Sequence, residues 1–380
     1  MDQSGSEKQN NSSPDVEDEG ASFDDVEMVR PYDPRKIRVD QKPYSIAQII
    51  DMIDAKELDV APDFQRRNVW REKQKSQLIE SIMLRIPIPV FYFSSDEEGR
   101  MQVVDGVQRI SAIYDFAKNK FALSGLEYLQ NELRDLTFEK IVKSLWGRRF
   151  LQTGFIANVI DPQTPDDVKF DIFRRLNTGG TPLNAQEIRH CISKPRTRNF
   201  LARLNDNGAF HKATRNRLMN HARMVDRELA LRFCAFRLLS DISDYAGMNG
   251  MDDLLTKTVR KLDFSHTTSD DMLDKLDADF SRSMENSWLL FGDHAFCKWH
   301  LDNEYLSPIN RALFDVWSVV LADYQTEQLL EHKTTIVQKA RDMMTNDIDF
   351  INSISWRTSQ ASQLFTRFNK VRECVREICE

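Results

Sequence analysis

The chain has 380 residues, 41% of them hydrophobic, and a formal charge of -7. That length allows two or three domains with a sizeable core, and no run of about 18 apolar residues offers a membrane span. The negative charge does not exclude nucleic acid, because residues 1–30 hold nine acids against two bases and so carry the whole surplus, leaving the rest of the chain neutral.

In chain order, residues 1–30 are rich in Ser, Asn, Asp and Glu and have no apolar stripe to bury. They are expected to form a disordered acidic tail, and their polarity is the opposite of a secretory signal. "RPYDPRKIRVDQKP" reads as a lead-in segment. "YSIAQIIDMIDAKEL" then places Ile46, Ile49, Ile50 and Ile53 on one helical stripe, with Ser45 as N-cap. "REKQKSQLIESIMLRI" repeats the pattern and is stopped by Pro87 and Pro89. "IPVFYF" and "RMQVVDG", joined by "SSDEEG", read as a hairpin, followed by the helix "VQRISAIYDFAKN" and the strand "GFIANVID". "TPDDVKFDIFRRLN" opens with Thr164 as N-cap and Pro165 at the first helical position. "LNAQEIRHCI" restarts a helix, with Asn184 and Glu187 at capping-box spacing. From residue 196 onward the periodicity is helical throughout, most clearly in "RELALRFCAFRLL" and "INRALFDVWSVVLADY". The pattern predicts an α+β chain, with a mixed α/β domain over residues 31–195 and an all-helical domain over 196–380.

Three polar knots stand at the edges of regular elements in the first domain. They are Phe64-Gln65-Arg66-Arg67, then Asp105-Gly106-Val107-Gln108-Arg109, then the run holding Arg175, Asn177, Thr178, Gly179 and Gly180. Backbone N–H groups are unpaired at such edges, and a helix start attracts anions. A Gly-Gly pair lets amides approach a ligand closely, and the arginine fork matches a phosphate. Together the knots can supply a cradle for a polyphosphate. Taken singly, each is an ordinary turn or cap.

"PDFQRRNVW", "LIESIMLRIPIPVFYF", "VVDGVQR" and "IFRRLNTGGTPLNAQEIR" resemble, in order and spacing, the motifs of the N-terminal domain of the GmrSD modification-dependent restriction family. The resemblance runs from about Tyr44 to Ile192, and "RMVDRELALRF" resembles the helical region that follows it there. It implies a ParB/sulfiredoxin-like fold that binds and hydrolyses a nucleoside triphosphate with Mg²⁺. Asp105 would then orient water or metal, and Gln108 and Arg109 would contact phosphates. Gln65, Arg66, Gly106, Arg175, Asn177, Thr178, Gly179 and Gly180 would line the same pocket. The family's usual knot is Asp-Gly-Gln-Gln-Arg, and Val107 stands at its first Gln position.

The family's full-length members carry a second, HNH-like nuclease domain. None of the seven histidines here sits in a His-x-x-Pro pattern, so DNA cleavage is expected from a separate nuclease chain. His294, Cys297 and His300 have metal-ligand chemistry but too few partners for a zinc site. Residues 196–223 hold Arg196, Arg198, Arg203, Lys212, Arg215, Arg217 and Arg223 against a single Asp206. Residues 351–372 add Arg357, Arg367, Lys370 and Arg372 with no acid. Such stretches either contact a DNA backbone or coat a solvated helix face. Five scattered cysteines read as reduced thiols of a cytoplasmic protein. Three functions are consistent with these residues: a nucleotide-hydrolysing sensor of modified DNA in phage defence, a ParB-like DNA-binding adaptor switched by nucleotide without turnover, or an interaction protein that keeps only the fold.

Overall fold

A computed structural model describes residues 15–17, 35, 37–60, 70–176, 184–221 and 223–379. The chain divides into two compact units, one spanning residues 30–192 and one spanning 193–380 together with residues 1–29. The architecture is α+β, with a small mixed sheet in the first unit and helices in the second.

The first unit is built on a five-stranded sheet in the order β1-β5-β3-β4-β2. Its strands are β1 (Val39–Ser45), β2 (Leu58–Asp59), β3 (Phe91–Ser95), β4 (Met101–Asp105) and β5 (Gly154–Ile160). β3 and β4 form the expected hairpin, turned by Asp96, whose Oδ1 accepts from the amides of Glu98 and Arg100. β5 runs parallel to β3 and antiparallel to β1. β1 occupies part of the segment read as a lead-in.

Helices α1 (Ile46–Asp54), α2 (Glu72–Met83) and α3 (Val107–Ala117) contribute their apolar faces to one core with β3, β4 and β5. Ser45 caps α1 in a capping box with Gln48, as its position predicts. Phe91, Phe93, Phe116 and Phe150 are fully buried in this core, and Phe116 meets Phe150 edge-on at 5.4 Å. Between α3 and β5 lie three short helices, α4 (Gln130–Leu133), α5 (Phe138–Ile141) and α6 (Leu145–Gln152). α2 holds the loop before them with Glu80, a buried carboxylate that accepts from the amides of Glu127, Tyr128 and Leu129 at 3.0, 2.7 and 2.8 Å.

α7 (Asp166–Leu176) and α8 (Ala185–Ile192) complete the unit. Asn184 and Glu187 form the predicted reciprocal pair at the start of α8. The Thr164 hydroxyl accepts from the Arg38 amide and donates to the Arg38 carbonyl, stitching the start of α7 to the entry of β1.

In the second unit, α9 (Pro195–Asn205), α10 (Gly208–Ala213), α11 (Val225–Arg237), α12 (Gly250–Asp263) and α13 (Asp270–Phe291) precede α14 (Arg311–Leu321). They are followed by α15 (Thr326–Glu331), α16 (Lys333–Asn346), α17 (Ile348–Ser355) and α18 (Ala361–Cys379). Every residue of α14 from Ala312 to Leu321 is buried, the mark of a central helix. It packs against α11, α13, α17 and α18.

α14 carries one acid, Asp315, fully buried. Arg232 of α11 holds it with two parallel bonds, Nε to Oδ1 at 2.8 Å and Nη2 to Oδ2 at 2.7 Å. Arg367 of α18, also fully buried, reaches Oδ2 at 3.4 Å and donates to the carbonyls of Ser353 and Thr358.

Within the stretch expected to be disordered, Asp15–Glu17 instead lie on this unit, where Val16 bridges to Ile309 and packs on the core. Among the described residues, no helix is long and apolar enough to cross a membrane.

The cysteines are unbridged thiols. Burial pushes the Cys234 thiol up strongly and raises Cys297 and Cys374 to about 11. Because the thiolate is the reactive form, these three should resist a maleimide in the native chain at neutral pH. The half-buried Cys379, in the last turn of α18, should label first. Mass mapping of the labelled chain before and after urea checks the order. Early labelling of Cys234 would contradict the packing of α11.

Candidate functional site

The second polar knot is a seam between β4 and α3. Asp105 ends the strand, Gly106 turns the chain, and Val107 opens the helix. Gly106 has φ +93°, a left-handed conformation that side-chain-bearing residues rarely adopt. A Cβ there would also lie 2.4 Å from Phe91 Cδ1, so the position excludes other residues twice over.

Among the described residues no side chain caps α3, and its first intrahelical bond is Ile110 N–H to the Gly106 carbonyl. The amides of Val107, Gln108 and Arg109 therefore point out of the helix start without a capping oxygen, an arrangement that favours an anion.

Arg109 does not extend into solvent as a free fork. Its Nη2 pairs with Asp105 Oδ2 at 2.9 Å and donates to the Val90 carbonyl at 3.3 Å. Nη1 donates to the Pro89 carbonyl, and the guanidinium lies 4.5 Å from the centre of the Phe91 ring. Its side chain is only 14% exposed. Burial lowers its pKa, while the adjacent Asp105 pushes the other way. Arg109 thus clamps α3 to the chain entering β3. The backbone acceptors at Pro89 and Val90 are not visible in the motif itself.

The Asp105 side chain is 32% exposed, so its carboxylate is accessible, with one oxygen held by Arg109. Gln108 is half-buried on the first turn of α3. Arg175 is exposed near the end of α7, which packs against β4. The structure thus gathers Asp105, Gly106, Gln108 and Arg109 at one seam. Gln65, Arg66, Asn177, Thr178, Gly179 and Gly180 lie outside the described residues.

The basic stretches of the helical unit are mostly committed internally. Arg196 donates to the carbonyls of Leu262 and Thr268 and pairs with Asp270 at 2.6 Å. Arg203 pairs with Asp277 at 3.0 Å and Asp274 at 3.3 Å. Arg215 donates to the Ser307 carbonyl and Cys297 Sγ, and Arg217 faces Asp15 at 3.9 Å. Lys212 is exposed and Arg198 half-buried. In the second stretch, Arg367 is buried with Asp315 and cannot meet a DNA backbone, and Lys370 pairs with Asp347 at 2.6 Å. The acids that balance these cations come from distant parts of the chain, which a local charge count cannot include.

The His294 ring stacks on Trp299 at 4.0 Å between centres, and Cys297 is buried. Among the described residues, no three His, Cys, Asp or Glu side chains gather as a metal-ligand set.

Residues 46–193 match the family model described as the N-terminal domain of the GmrSD restriction endonuclease. No curated protein and no solved structure matches the chain.

Proposed function

From the premise of a GmrSD N-terminal-type domain over residues 46–193, we propose that the chain is a nucleotide-binding component of a DNA restriction system. The reading rests on one observation above all, the uncapped start of α3 behind a glycine that no other residue can replace. A triphosphate would meet the amides of Val107, Gln108 and Arg109 and the side-chain amide of Gln108. Arg109 would act as the brace that fixes this seam, rather than as the phosphate fork that the motif alone implies. Asp105 is a hard oxygen donor of the type that suits Mg²⁺ when phosphate supplies further ligands. Mg²⁺, when bound, would neutralise charge on the β- and γ-phosphoryl oxygens. Asp105 would also orient the attacking water. In such a system the chain would recognise modified DNA and leave cleavage to a separate HNH-type nuclease chain.

A second reading, a ParB-like adaptor in which nucleotide is a switch without turnover, is favoured by the commitment of Arg109 to Asp105 and two backbone carbonyls. That commitment keeps Arg109 itself from acting as a mobile cation for a developing γ-phosphoryl charge. Steady-state phosphate release with Mg²⁺ separates the two readings.

Calorimetric titration with each common nucleoside triphosphate tests the shared premise. Gln108→Ala should weaken binding roughly tenfold or more, the value of about 1.5–3 kcal/mol for a hydrogen bond to a charged group. Arg109→Ala should lower both affinity and melting temperature. If no nucleotide binds the wild type, or if Gln108→Ala and Asp105→Asn both leave affinity unchanged, the seam is not the nucleotide site.

A further inference from the structure

The segment Asp15–Glu17 sits on the helical unit through a bonded register rather than a loose charge contact. The Ile309 amide donates to the Asp15 carbonyl at 3.1 Å, and the Glu17 amide donates to the Ile309 carbonyl at 2.9 Å. Val16 thereby pairs in parallel with Ile309, which also bridges to Cys297 on its other side. The segment adds a short strand to an existing edge, a recurrent mode of peptide capture.

The side chains fit the same pattern. Val16 packs on the core of the unit. The Glu17 carboxylate accepts from Asn310 Nδ2 at 2.7 Å and pairs with Lys298 Nζ at 3.0 Å. Arg311 Nη1 donates to the Glu17 carbonyl at 2.9 Å. Arg217 approaches Asp15 at 3.9 Å. Arg215 stands nearby on Ser307 and Cys297, with Nε and Nη1 buried and without an acceptor among the described residues. Backbone pairing, an apolar anchor and flanking cations thus all recognise the order acid, apolar, acid. In the sequence two more acids, Asp18 and Glu19, follow directly.

We propose that the helical unit carries a binding site for an acidic extended peptide, and that the chain fills this site in cis with its own segment Asp15-Val16-Glu17. The acidic tail is then a tethered ligand. The tether supplies a high effective concentration, so the site stays occupied unless an acidic strand with the same pattern competes. The ion pairs make the docking weaker at high salt. This inference does not depend on nucleotide binding in the other unit.

The test uses the full chain and a synthetic peptide of residues 11–22. A Val16→Asp/Glu17→Lys double variant undocks the segment. It should bind the peptide at least tenfold more tightly than the wild type, whose site is already filled. Adding Lys298→Glu should abolish that gain. Hydrogen exchange on the wild type is the second measurement and requires no variant to fold. The amides of Glu17 and Ile309 should be protected together in the wild type. Equal peptide binding by wild type and double variant, or no binding by a double variant of unchanged helicity, would overturn the proposal. So would a Glu17 amide that exchanges at the unprotected rate. A wild-type dimer that the peptide dissociates would overturn the cis assignment, because the segment would then be filling a second copy's site.

Discussion

Asp315→Ala should lower the stability of the helical unit by about 3–5 kcal/mol, the usual result of removing one partner from a buried ion pair. Asp315 and Arg367 are fully buried, and Arg232 is 3% exposed at its side chain. Removing the carboxylate leaves two guanidinium groups in the core without their shared counter-ion. Glu228 remains beside Arg232, and Arg367 still donates to the Ser353 and Thr358 carbonyls. Asp315→Leu combined with Arg232→Met and Arg367→Met should recover much of the loss, because three apolar side chains remove the stranded charge altogether. Urea unfolding followed by circular dichroism, on the single and triple variants, checks both values. A single variant within about 1 kcal/mol of wild type would mean that the arginines reach solvent or a substitute acid.

The second large effect belongs to Glu80. Its carboxylate is the acceptor for three successive backbone amides, and each buried donor left unsatisfied costs about 1–3 kcal/mol. Glu80→Ala should therefore destabilise the first unit by about 3 kcal/mol or more, unless the 127–129 loop refolds to reach water. Glu80→Gln keeps the shape and one acceptor oxygen, so its loss should be smaller. Amide exchange separates a local from a global effect. Protection at Glu127, Tyr128 and Leu129 should vanish first, before protection at the Phe116–Phe150 core declines.

What was legible in the sequence was local. The capping oxygens of Ser45 and Asn184 lie three residues from the groups they satisfy, so spacing alone predicts them. The β3–β4 hairpin and the helix after Gly106 follow from alternation, turn residues and a change of period. β1 carries no strand signal of its own, because residues Val39–Pro43 are exposed and include Lys42 and Pro43. Its pairing is decided by β5, more than a hundred residues later. The functions of single polar residues were harder still to read. Thr164 serves Arg38, Arg109 serves the carbonyls of Pro89 and Val90, and Arg196 serves Asp270. A basic stretch read by itself therefore promises a cationic face that the fold largely neutralises. The acidic tail errs in the opposite direction. One apolar residue, Val16, is too few for a periodicity signal and yet suffices for a strand that has somewhere to pair.

The strand order has a consequence for how the first unit behaves in a crowded solution. An open sheet invites neighbours to hydrogen-bond onto its outermost strands, the first step towards fibrillar growth. Here the two outermost strands are β1 and β2. β2 is only two residues long, too short to template another chain. β1 is longer, but Pro43 lacks an amide proton and Lys42 adds a charge that a stacked copy would have to bury beside its own. The apolar strands β3 and β5, rich in Phe, Ile and Val, are enclosed between pairing partners and never reach an edge. Thus the two strands at the edges of the sheet are the ones least able to pair with another molecule.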